Sequence, residues 1–286
     1  MANIVITGTS SGFGRLTTET LAKAGHTVFA TMRNIGGKNA PAAKALQAHS
    51  GPGRIHVLEL DVTSEASVQK AFEAIARETG GAIDVVFNNA GRFSLGVQEA
   101  YSIAEVQSLF DTNVFGTLRV NRAALPLLRK RRSGLVINMS SIVGCISLPC
   151  VGPYAASKFA IEALTDASRD ELKSLGIDVV MLQPGAFPTE VGNNGLYPAD
   201  APRANEYGEV ATIPQKMGEA LGQLFASPQS PKPQEVADAV KQLIDTPAGR
   251  RPDRVVVDKL TGDPIRAVNQ VYGTQRQALM AAFGMA

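Results

Sequence analysis

Short apolar runs alternate with helical patterns along most of this chain, and no other feature constrains its fold as strongly. Residues 4–6, 27–32 and 55–60 are the first three such runs and are rich in β-branched side chains. The later runs are residues 84–87, 135–138, 178–182 and 255–257. Short, continuously apolar runs are typical of strands that are buried on both faces. The pattern therefore predicts an α/β fold, a doubly wound parallel sheet of about seven strands with helices on both faces.

The helical patterns between these runs place the whole chain, residues 1–286, in a single domain of the Rossmann type. The main patterns cover residues 16–24, 68–75, 103–130, 154–175, 236–244 and 265–283. Between the sixth run and the last, residues 186–232 are rich in Pro, Gly, Asn and Ala, with one helical piece at 215–225. Long irregular segments in compact domains often serve binding sites. We expect residues 186–232 to form a substrate lid inserted in the domain.

The composition argues against several classes of protein. The 286 residues carry a net charge of +2 and contain no apolar run long enough for a membrane span. The N-terminus lacks the basic start and cleavage site of a secretory signal, so we expect a cytoplasmic protein without a membrane partner. The dense basic run at 129–132 lies where a helix should end, so the helix dipole explains it without nucleic acid. Cys145, Cys150 and the three histidines lack metal-ligand spacing, and no metal is expected.

Glycines follow the first predicted strand directly, in the segment Thr7-Gly8-Thr9-Ser10-Ser11-Gly12-Phe13-Gly14. A pyrophosphate needs backbone N–H donors at close range, the positive end of a helix and no obstructing side chains. The three glycines meet these needs, and Ser10 and Ser11 add hydroxyl donors. A tight turn between strand and helix also favours glycine. The position of the loop after the first strand favours phosphate binding over a merely structural turn.

Further motifs follow the other predicted strands in order. They are Asp61-Val62, Asn88-Asn89-Ala90-Gly91, Asn113, Ser141, Tyr154-Ala155-Ala156-Ser157-Lys158, and Pro184-Gly185 with Thr189. Together with the spacing of the glycines, they resemble the short-chain dehydrogenase/reductase family over residues 3–190. The stretches around Arg33 and Tyr154 are most similar to the hydroxysteroid and retinol dehydrogenase branch of that family.

The resemblance implies an oxidoreductase that moves a hydride between a nicotinamide cofactor and a carbonyl or alcohol. The catalytic residues that it implies are Asn113, Ser141, Tyr154 and Lys158, with Asn113 holding a water in a proton relay. The implied cofactor contacts are Gly8, Ser10, Ser11, Gly12, Phe13, Gly14, Arg33, Asp61, Val62, Asn89, Ala90, Gly91, Tyr154, Lys158, Pro184, Gly185 and Thr189. The family also implies a homodimer or homotetramer built from the long helices.

The spacing of Tyr154 and Lys158 suits proton transfer on chemical grounds as well. A carbonyl that accepts a hydride needs a proton donor for the developing alkoxide. Tyrosine, with an ordinary pKa of about 10, needs a nearby cation to favour its phenolate. Lys158 lies one helical turn beyond Tyr154 on the same face, and Ser141 can donate to the substrate oxygen. Taken singly, the pair could be an ordinary amphipathic one, Ser141 a helix cap, and Asn113 a kink-forming residue.

The end of the second predicted strand indicates which nicotinamide cofactor is used. An NAD enzyme usually has a carboxylate there for the ribose 2′-hydroxyl, whereas an NADP enzyme has an arginine for the 2′-phosphate. This chain has Arg33 and no Asp or Glu between Gly25 and Ala48. NADP(H) is therefore the expected cofactor, and the alternative is that Arg33 is a solvated surface residue.

The expected partner is a small-molecule carbonyl or alcohol substrate of mainly apolar character. Loops expected to face it contain Phe93, Leu95, Ile146, Leu148, Pro149, Val151 and Phe187. Two other classes remain as alternatives: a catalytically silent NADP(H)-binding sensor or scaffold with the same fold, and a methyltransferase, which also has a glycine-rich loop after its first strand. The four candidate catalytic residues argue against the first, and the missing acidic residue after the second strand argues against the second.

Overall fold

The computed structural model describes residues 1–285, apart from the side chain of Asn193, and contains one sheet of seven strands. The strands are β1 (Asn3–Thr7), β2 (Thr27–Met32), β3 (Arg54–Glu59), β4 (Val85–Asn88), β5 (Gly134–Met139), β6 (Ile177–Pro184) and β7 (Arg254–Val257). Their order is β3-β2-β1-β4-β5-β6-β7, and each neighbouring pair is parallel. The predicted α/β fold with a doubly wound parallel sheet is confirmed.

Helices cover both faces of this sheet, as predicted. They are α1 (Gly12–Lys23), α2 (Ala40–Gln47), α3 (Glu65–Thr79), α4 (Ile103–Phe110), α5 (Gly116–Arg131), α6 (Gly152–Lys173), α7 (Ala201–Asn205), α8 (Ile213–Ala226), α9 (Gln234–Asp245) and α10 (Asp263–Ala282). Ile4 packs on one face with Leu21 of α1 and with α9. Val5, the next residue, packs on the other face with Phe72 of α3 and with α5. Successive strand residues point to opposite faces, so a continuously apolar strand fills both layers of the core.

The strand order reverses beside β1, because β2 and β3 extend to one side of it and β4 to β7 extend to the other. A reversal of this kind opens a crevice at the carboxyl ends of the strands, which is where doubly wound sheets bind ligands. Residues 8–14 follow β1, residues 89–91 follow β4, and Ser141 follows β5. The fold therefore brings the predicted motifs to one edge of the sheet.

The largest departure from the sequence prediction lies in the long helical pattern at residues 103–130. The structure divides it into α4 and α5, joined by a π-helical segment, Asp111–Phe115, with Asn113 at its centre. A π-helical turn widens the helix by one residue and is frequent at functional sites. The unusual position of Asn113 inside a helical pattern thus marks a local break in the α-helix.

Two other segments are more regular than their sequences indicated. The helix α2 was not predicted, because only Ala43 and Leu46 of its eight residues are buried and its apolar periodicity is weak. Residues 186–232 contain α7, α8 and two 3-10 turns, whereas only the helix corresponding to α8 was predicted. No residue of α8 is fully buried, which is consistent with a segment that lies over the domain rather than within its core.

Within residues 1–285, none of the helices combines the length and the apolar character needed to cross a membrane. In the same residues, His, Cys, Asp and Glu side chains form no group of three or more that could hold a metal ion.

Candidate functional site

The loop after β1 can be built only with glycine at two of its positions. Gly8 has a φ of 70°, and a Cβ built on it would lie 2.8 Å from the Cα of Ala90. A Cβ on Gly14 would lie 2.3 Å from the carbonyl oxygen of Gly8. The loop therefore folds tightly back on itself and against the segment after β4, and any side chain at these positions would force them apart.

Asn89 holds this loop in place from the neighbouring strand. Its side-chain Nδ2 donates to the carbonyl oxygens of Thr7, at 2.8 Å, and Gly8, at 3.0 Å. The hydroxyl of Thr7 accepts in return from the backbone N–H of Asn89, at 3.1 Å, and of Ala90, at 3.0 Å. Thr7 is buried; it begins the predicted glycine segment but was given no role there. Its polar side chain ending an apolar strand is the signal that could have revealed it.

The N-terminus of α1 faces the same crevice and fits a phosphate group. The side chain of Ser11, the N-cap residue, makes no capping hydrogen bond, so the backbone N–H groups of the first turn keep their hydrogen-bonding capacity. Ser10 and Ser11 are partly exposed beside it. A Cβ built on Gly12 would lie 3.7 Å from Thr189, which places the segment after β6 directly over the loop. Free amides at a helix N-terminus, glycines and adjacent hydroxyls are the donor set that a dinucleotide pyrophosphate requires.

The candidate adenosine side of the site lies at the ends of β2 and β3. Arg33 follows Met32, the last residue of β2, and its side chain is exposed. Asp61 and Val62 follow β3; the Asp61 carboxylate accepts from the backbone N–H of Thr63 at 2.9 Å, and Val62 is 8% exposed. Both are thus fixed in a defined turn at the edge of the crevice, on the same side as Arg33.

Tyr154 and Ser141 come together at the carboxyl end of β5. Burial raises the pKa of Tyr154 to about 12, and the neighbouring Ser141 hydroxyl offsets part of that shift. Ser141 accepts from the backbone N–H of Val143 at 3.3 Å and so caps the short 3-10 helix Ile142–Gly144. The helix-cap interpretation of Ser141 is therefore correct, and it coexists with a position beside the tyrosine. The Phe93 ring packs edge-on against Tyr154, with 5.0 Å between the ring centroids.

Lys158 is buried next to Tyr154. Its side chain is 4% exposed, its Nζ donates to the carbonyl oxygen of Met139 at 2.9 Å, and it lies 5.7 Å from the centroid of the Tyr154 ring. Burial lowers the pKa of Lys158 to about 8, while the negative charge of Glu162 one turn along α6 acts to raise it. A Cβ on Gly91 would lie 3.6 Å from Nζ, so the segment after β4 also reaches this group.

The side-chain amide of Asn113 forms hydrogen bonds through both its oxygen and its nitrogen, and these bonds link the π-helical segment to Arg92 and to Ser157 of α6. Its Oδ1 accepts from the backbone N–H of Arg92 at 2.7 Å, and its Nδ2 donates to the Arg92 carbonyl oxygen at 2.9 Å and to Ser157 Oγ at 3.0 Å. The Ser157 hydroxyl donates in turn to the carbonyl oxygen of Tyr154 at 2.7 Å. The π-helical segment thereby ties the residue after Gly91 to the helix that carries Tyr154. Ser157 lies inside the predicted motif but was given no role.

A buried polar network that the sequence motifs do not reveal lies behind Lys158. Glu162 of α6 accepts from Gln183 Nε2 at 2.9 Å and from Arg254 Nε at 3.1 Å. Arg254 of β7 also pairs with Asp166 at 2.5 Å. Burial raises the pKa of Glu162, and its hydrogen bonds to Gln183 and Arg254 act against that shift. Because Gln183 immediately precedes Pro184, this network anchors the segment that was predicted to contact the nicotinamide.

An apolar cluster lies next to Tyr154 and contacts it through Phe93. Its buried members are Leu95, Val97, Ala100, Cys150, Val151 and Ala155, and the partly buried residues packed on them are Phe93, Val143, Ala204, Ile213 and Met217. Ala204, Ile213 and Met217 belong to residues 186–232, so that segment packs on the cluster. Phe187 was expected here but packs instead against Phe13 of the glycine loop, with 5.5 Å between ring centroids. Leu148 is also outside the cluster and is 47% exposed.

Comparison with known proteins places this arrangement in a family. The family model described as short chain dehydrogenase matches residues 2–196, which include the glycine loop, Asn113, Ser141, Tyr154, Lys158 and Thr189. The chain belongs to the short-chain dehydrogenase family. Enzymes of this family are oxidoreductases that act on an alcohol or carbonyl with a nicotinamide cofactor, and the family resemblance stated from the sequence is confirmed.

Individual relatives support the same assignment. A 3-ketodihydrosphingosine reductase from Bacteroides thetaiotaomicron is 39% identical over 67% of this chain and 66% of its own. Human retinol dehydrogenase 8 is 36% identical over 65% of this chain and 59% of its own, which agrees with the predicted branch. The chain thus matches about three fifths to two thirds of the length of these relatives. A crystal structure of a short-chain dehydrogenase from Streptomyces avermitilis superposes with a TM-score of 0.77, at 29% identity, over 99% of this chain and 97% of that one.

Proposed function

We propose that this chain is an NADP(H)-dependent oxidoreductase that transfers a hydride between nicotinamide and a carbonyl or alcohol of a mainly apolar substrate. The observation that carries the proposal is the grouping of Ser141, Tyr154 and Lys158 at the carboxyl edge of the sheet, beside the glycine loop. The whole chain serves as a single Rossmann-type domain in this proposal, with residues 186–232 as its substrate lid.

Tyr154 is the proposed general acid and base. When it is bound, the nicotinamide supplies or accepts the hydride. The Tyr154 hydroxyl donates its proton to the carbonyl oxygen as negative charge develops there, and the Ser141 hydroxyl donates a hydrogen bond to the same oxygen. Because burial raises the pKa of Tyr154 to about 12, its phenol stays protonated at neutral pH, which is the form that reduction requires. The ammonium of Lys158 stabilises the phenolate that remains after the proton has left.

The remaining predicted residues are proposed to hold the cofactor and the site. The first turn of α1 with Ser10 and Ser11 would bind the pyrophosphate, Asp61 and Val62 the adenine side, and the segment around Thr189 the nicotinamide side. Gly8, Gly14 and Asn89 would shape the loop. Asn113 is proposed to position Tyr154 through Ser157, because its amide is engaged by protein groups on both ends.

The apolar cluster supports a substrate that is largely hydrocarbon. The lid packs on this cluster, and the cluster lies against Tyr154 through Phe93. The names of two relatives, a 3-ketodihydrosphingosine reductase and a retinol dehydrogenase, refer to compounds of this character. We also propose a cytoplasmic homodimer or homotetramer. A catalytically silent NADP(H)-binding sensor remains the second candidate, and a protein that binds NADPH but reduces no carbonyl in a broad panel would favour it.

The cofactor preference can be tested with Arg33→Ala. The guanidinium is always charged and suits a phosphate dianion, so we expect the wild type to prefer NADPH by about 10- to 100-fold in kcat/KM. The preference is not absolute, because the side chain is exposed and salt screens it. The variant should lose most of this preference through a higher KM for NADPH while its kinetics with NADH stay nearly unchanged. The measurement is kcat/KM for both cofactors at fixed ionic strength.

Arg77→Ala is a matched control, because Arg77 is an exposed arginine in the last turn of α3. It should leave the ratio between the two cofactors unchanged. The assignment of Arg33 would be overturned if the wild type prefers NADH. It would also be overturned if kcat/KM in the Arg33 variant falls by the same factor with NADPH and with NADH.

The lid can be tested through its contacts with Glu99. This exposed carboxylate accepts from Arg203 at 3.2 Å and from the hydroxyl of Tyr207 at 2.5 Å, and both partners belong to residues 186–232. Trypsin should cut this segment at Arg203 or Lys216 in the absence of ligands, and NADPH with an apolar ketone should protect it. Glu99→Ala removes both contacts and should speed cleavage by about threefold to tenfold, since exposed ion pairs contribute little singly.

Glu78→Ala, at an exposed position of α3, should cleave at the wild-type rate. Cleavage that does not occur within residues 186–232, or that ligands do not slow, would show that this segment is not a lid. A strong preference for small charged keto acids over apolar ketones would contradict the proposed substrate class.

A further inference from the structure

The loop that follows Arg33 contains two adjacent glycines and is held internally by a few backbone hydrogen bonds of its turns. Residues 33–39 connect β2 to α2, and Asn34 takes a left-handed conformation with a φ of 54°. Gly36 and Gly37 come next, and a Cβ built on Gly36 would meet no described atom within 4 Å. Glycines with open space around them leave a backbone free to adopt many conformations. This loop therefore needs external contacts if it is to present Arg33 in one direction.

Glu59 supplies such contacts from the neighbouring strand. Its Oε1 accepts from the backbone N–H of Asn34 at 2.6 Å, and its Oε2 accepts from the backbone N–H of Ile35 at 2.9 Å. Glu59 is the last residue of β3 and is paired in register with Met32, the last residue of β2. The carboxylate thus continues the hydrogen-bonded contact between the two strands into the loop, beyond the point where the backbone ladder ends.

Asn39 fixes the loop at its other end. Its Nδ2 donates to the carbonyl oxygen of Arg33 at 2.6 Å, and its backbone N–H donates to the carbonyl oxygen of Asn34. The peptide group between Arg33 and Asn34 is therefore held at both ends, its N–H by Glu59 and its carbonyl oxygen by Asn39. A cation whose backbone is fixed loses less entropy when it binds an anion than one on a mobile loop.

We propose that Glu59 is a positioning residue for cofactor specificity, whose bidentate contact with the Asn34 and Ile35 amides fixes the Arg33 loop so that Arg33 meets the ribose 2′-phosphate. This inference rests on the proposed preference for NADP(H). An acidic residue near the adenosine ribose is usually expected to bind the 2′-hydroxyl and so to favour NAD. The role proposed for Glu59 is the opposite, because it favours NADP(H). The Glu59 carboxylate accepts hydrogen bonds from two backbone N–H groups and thereby fixes the position of Arg33.

The charge of Glu59 also acts in the opposite direction, because a carboxylate repels a phosphate dianion. Both of its oxygens are engaged by N–H donors, and the residue is exposed to water and salt, which weaken repulsion over distance. The hydrogen bonds act directly at short range and involve a charged acceptor, which makes them about twice as strong as neutral ones. The positioning effect therefore outweighs the repulsion.

The test compares four proteins: wild type, Glu59→Gln, Arg33→Ala and the double variant. Glu59→Gln keeps the size of the side chain but removes its charge and turns one acceptor into a donor that faces an N–H. We expect kcat/KM with NADPH to fall by about tenfold, mainly through KM, while the value with NADH changes by less than about twofold. In the Arg33→Ala background the same substitution should have no further effect on NADPH. Glu73→Gln, at an exposed position of α3, is the matched control and should behave as the wild type.

A second measurement does not depend on the cofactor. Hydrogen exchange at the amides of Asn34 and Ile35 should become faster in Glu59→Gln and stay unchanged in Glu73→Gln. Unchanged exchange at both amides would show that Glu59 does not hold the loop.

The kinetic outcomes separate this inference from the proposed function. If Arg33→Ala leaves the cofactor ratio unchanged, the assignment of Arg33 fails, and the positioning role fails with it. If Arg33→Ala abolishes the preference but Glu59→Gln does not alter it, only the role of Glu59 is wrong. If Glu59→Gln increases the preference for NADPH, the carboxylate acts by repulsion and the inference is overturned.

Discussion

Tyr154→Phe is expected to lower turnover of a carbonyl substrate by roughly 10²-fold or more while NADPH still binds. The substitution removes only the hydroxyl that would give its proton to the developing alkoxide. The ring, which packs edge-on against Phe93, and the 5.7 Å approach of Lys158 are retained, so the fold and the apolar cluster should persist. The measurement is NADPH oxidation under saturating conditions, together with cofactor binding followed by nucleotide fluorescence.

Tyr272→Phe is the matched control for the loss of a hydroxyl. Tyr272 lies on α10, where the Arg254 guanidinium stacks on its ring at 4.8 Å, so it touches the buried network through Arg254 but is not a predicted catalytic or cofactor-binding residue. Turnover by this variant should be within about twofold of the wild type. A Tyr154→Phe protein with near wild-type kcat would show that Tyr154 is not the proton donor.

The strands could be predicted from the sequence because burial on both faces leaves a simple signal. The second apolar run has the same bounds as β2, and the last differs from β7 by one residue. The order of the strands does not follow from these runs, because an apolar run does not show which strand lies beside it. The helix α2 was missed because few of its residues are buried. Apolar periodicity reports burial, so elements with little burial give no signal.

The sequence motifs predicted which residues form the candidate site, but not the hydrogen bonds that join those residues to the rest of the protein. The motifs gave Asn113, yet its partner Arg92 contributes only backbone atoms, and no residue pattern reveals a backbone acceptor. The bond between Glu162 and Arg254 joins residues 92 positions apart and depends on β7 lying beside β6. Glu59 was overlooked for a similar reason. An acidic residue that selects the cofactor is expected at the end of β2, whereas Glu59 lies at the end of β3.

We propose that Asn113 positions Tyr154, whereas the family resemblance implies that it holds a water in a proton relay. An asparagine whose oxygen and nitrogen both bond to protein groups fixes the segments that carry those groups. The residue type alone is compatible with both tasks, because its amide can bond either water or protein. The contacts with Arg92 and Ser157 support the positioning task that we propose.

Lys158→Met is expected to abolish most of the activity and at the same time to stabilise the protein at neutral pH. Loss of the ammonium removes the charge that supports the Tyr154 phenolate, and we expect turnover to fall by roughly 10²- to 10³-fold. The gain in stability follows from burial, which lowers the pKa of Lys158 from 10.5 to about 8. At about 1.4 kcal/mol for each unit, the charged side chain costs roughly 3 kcal/mol in the folded state.

Part of that gain is lost in the variant. Methionine fills a similar volume but leaves the carbonyl oxygen of Met139 without its 2.9 Å donor, which costs about 1 kcal/mol. Glu162 keeps its bonds to Gln183 and Arg254 and so is not left without partners. The free energy of unfolding at pH 7 should therefore rise by about 1–2 kcal/mol in Lys158→Met. Lys44→Met, at an exposed position of α2, should change it by no more than about 0.5 kcal/mol.

The pH dependence of the free energy of unfolding shows whether the methionine variant gains stability from the loss of a buried charge or from better packing. A lysine whose pKa is lower in the folded state than in the unfolded state destabilises the fold fully below its folded pKa, here about 8. Between about 8 and 10.5 the folded protein gives up the proton while the unfolded chain keeps it, so the wild type recovers stability as the pH rises. Urea unfolding at pH 7 and pH 10 should show the advantage of the methionine variant at the lower pH and its disappearance at the higher. An advantage that is equal at both values would mean that burial does not lower the pKa of Lys158 and that the methionine variant is more stable because it packs better.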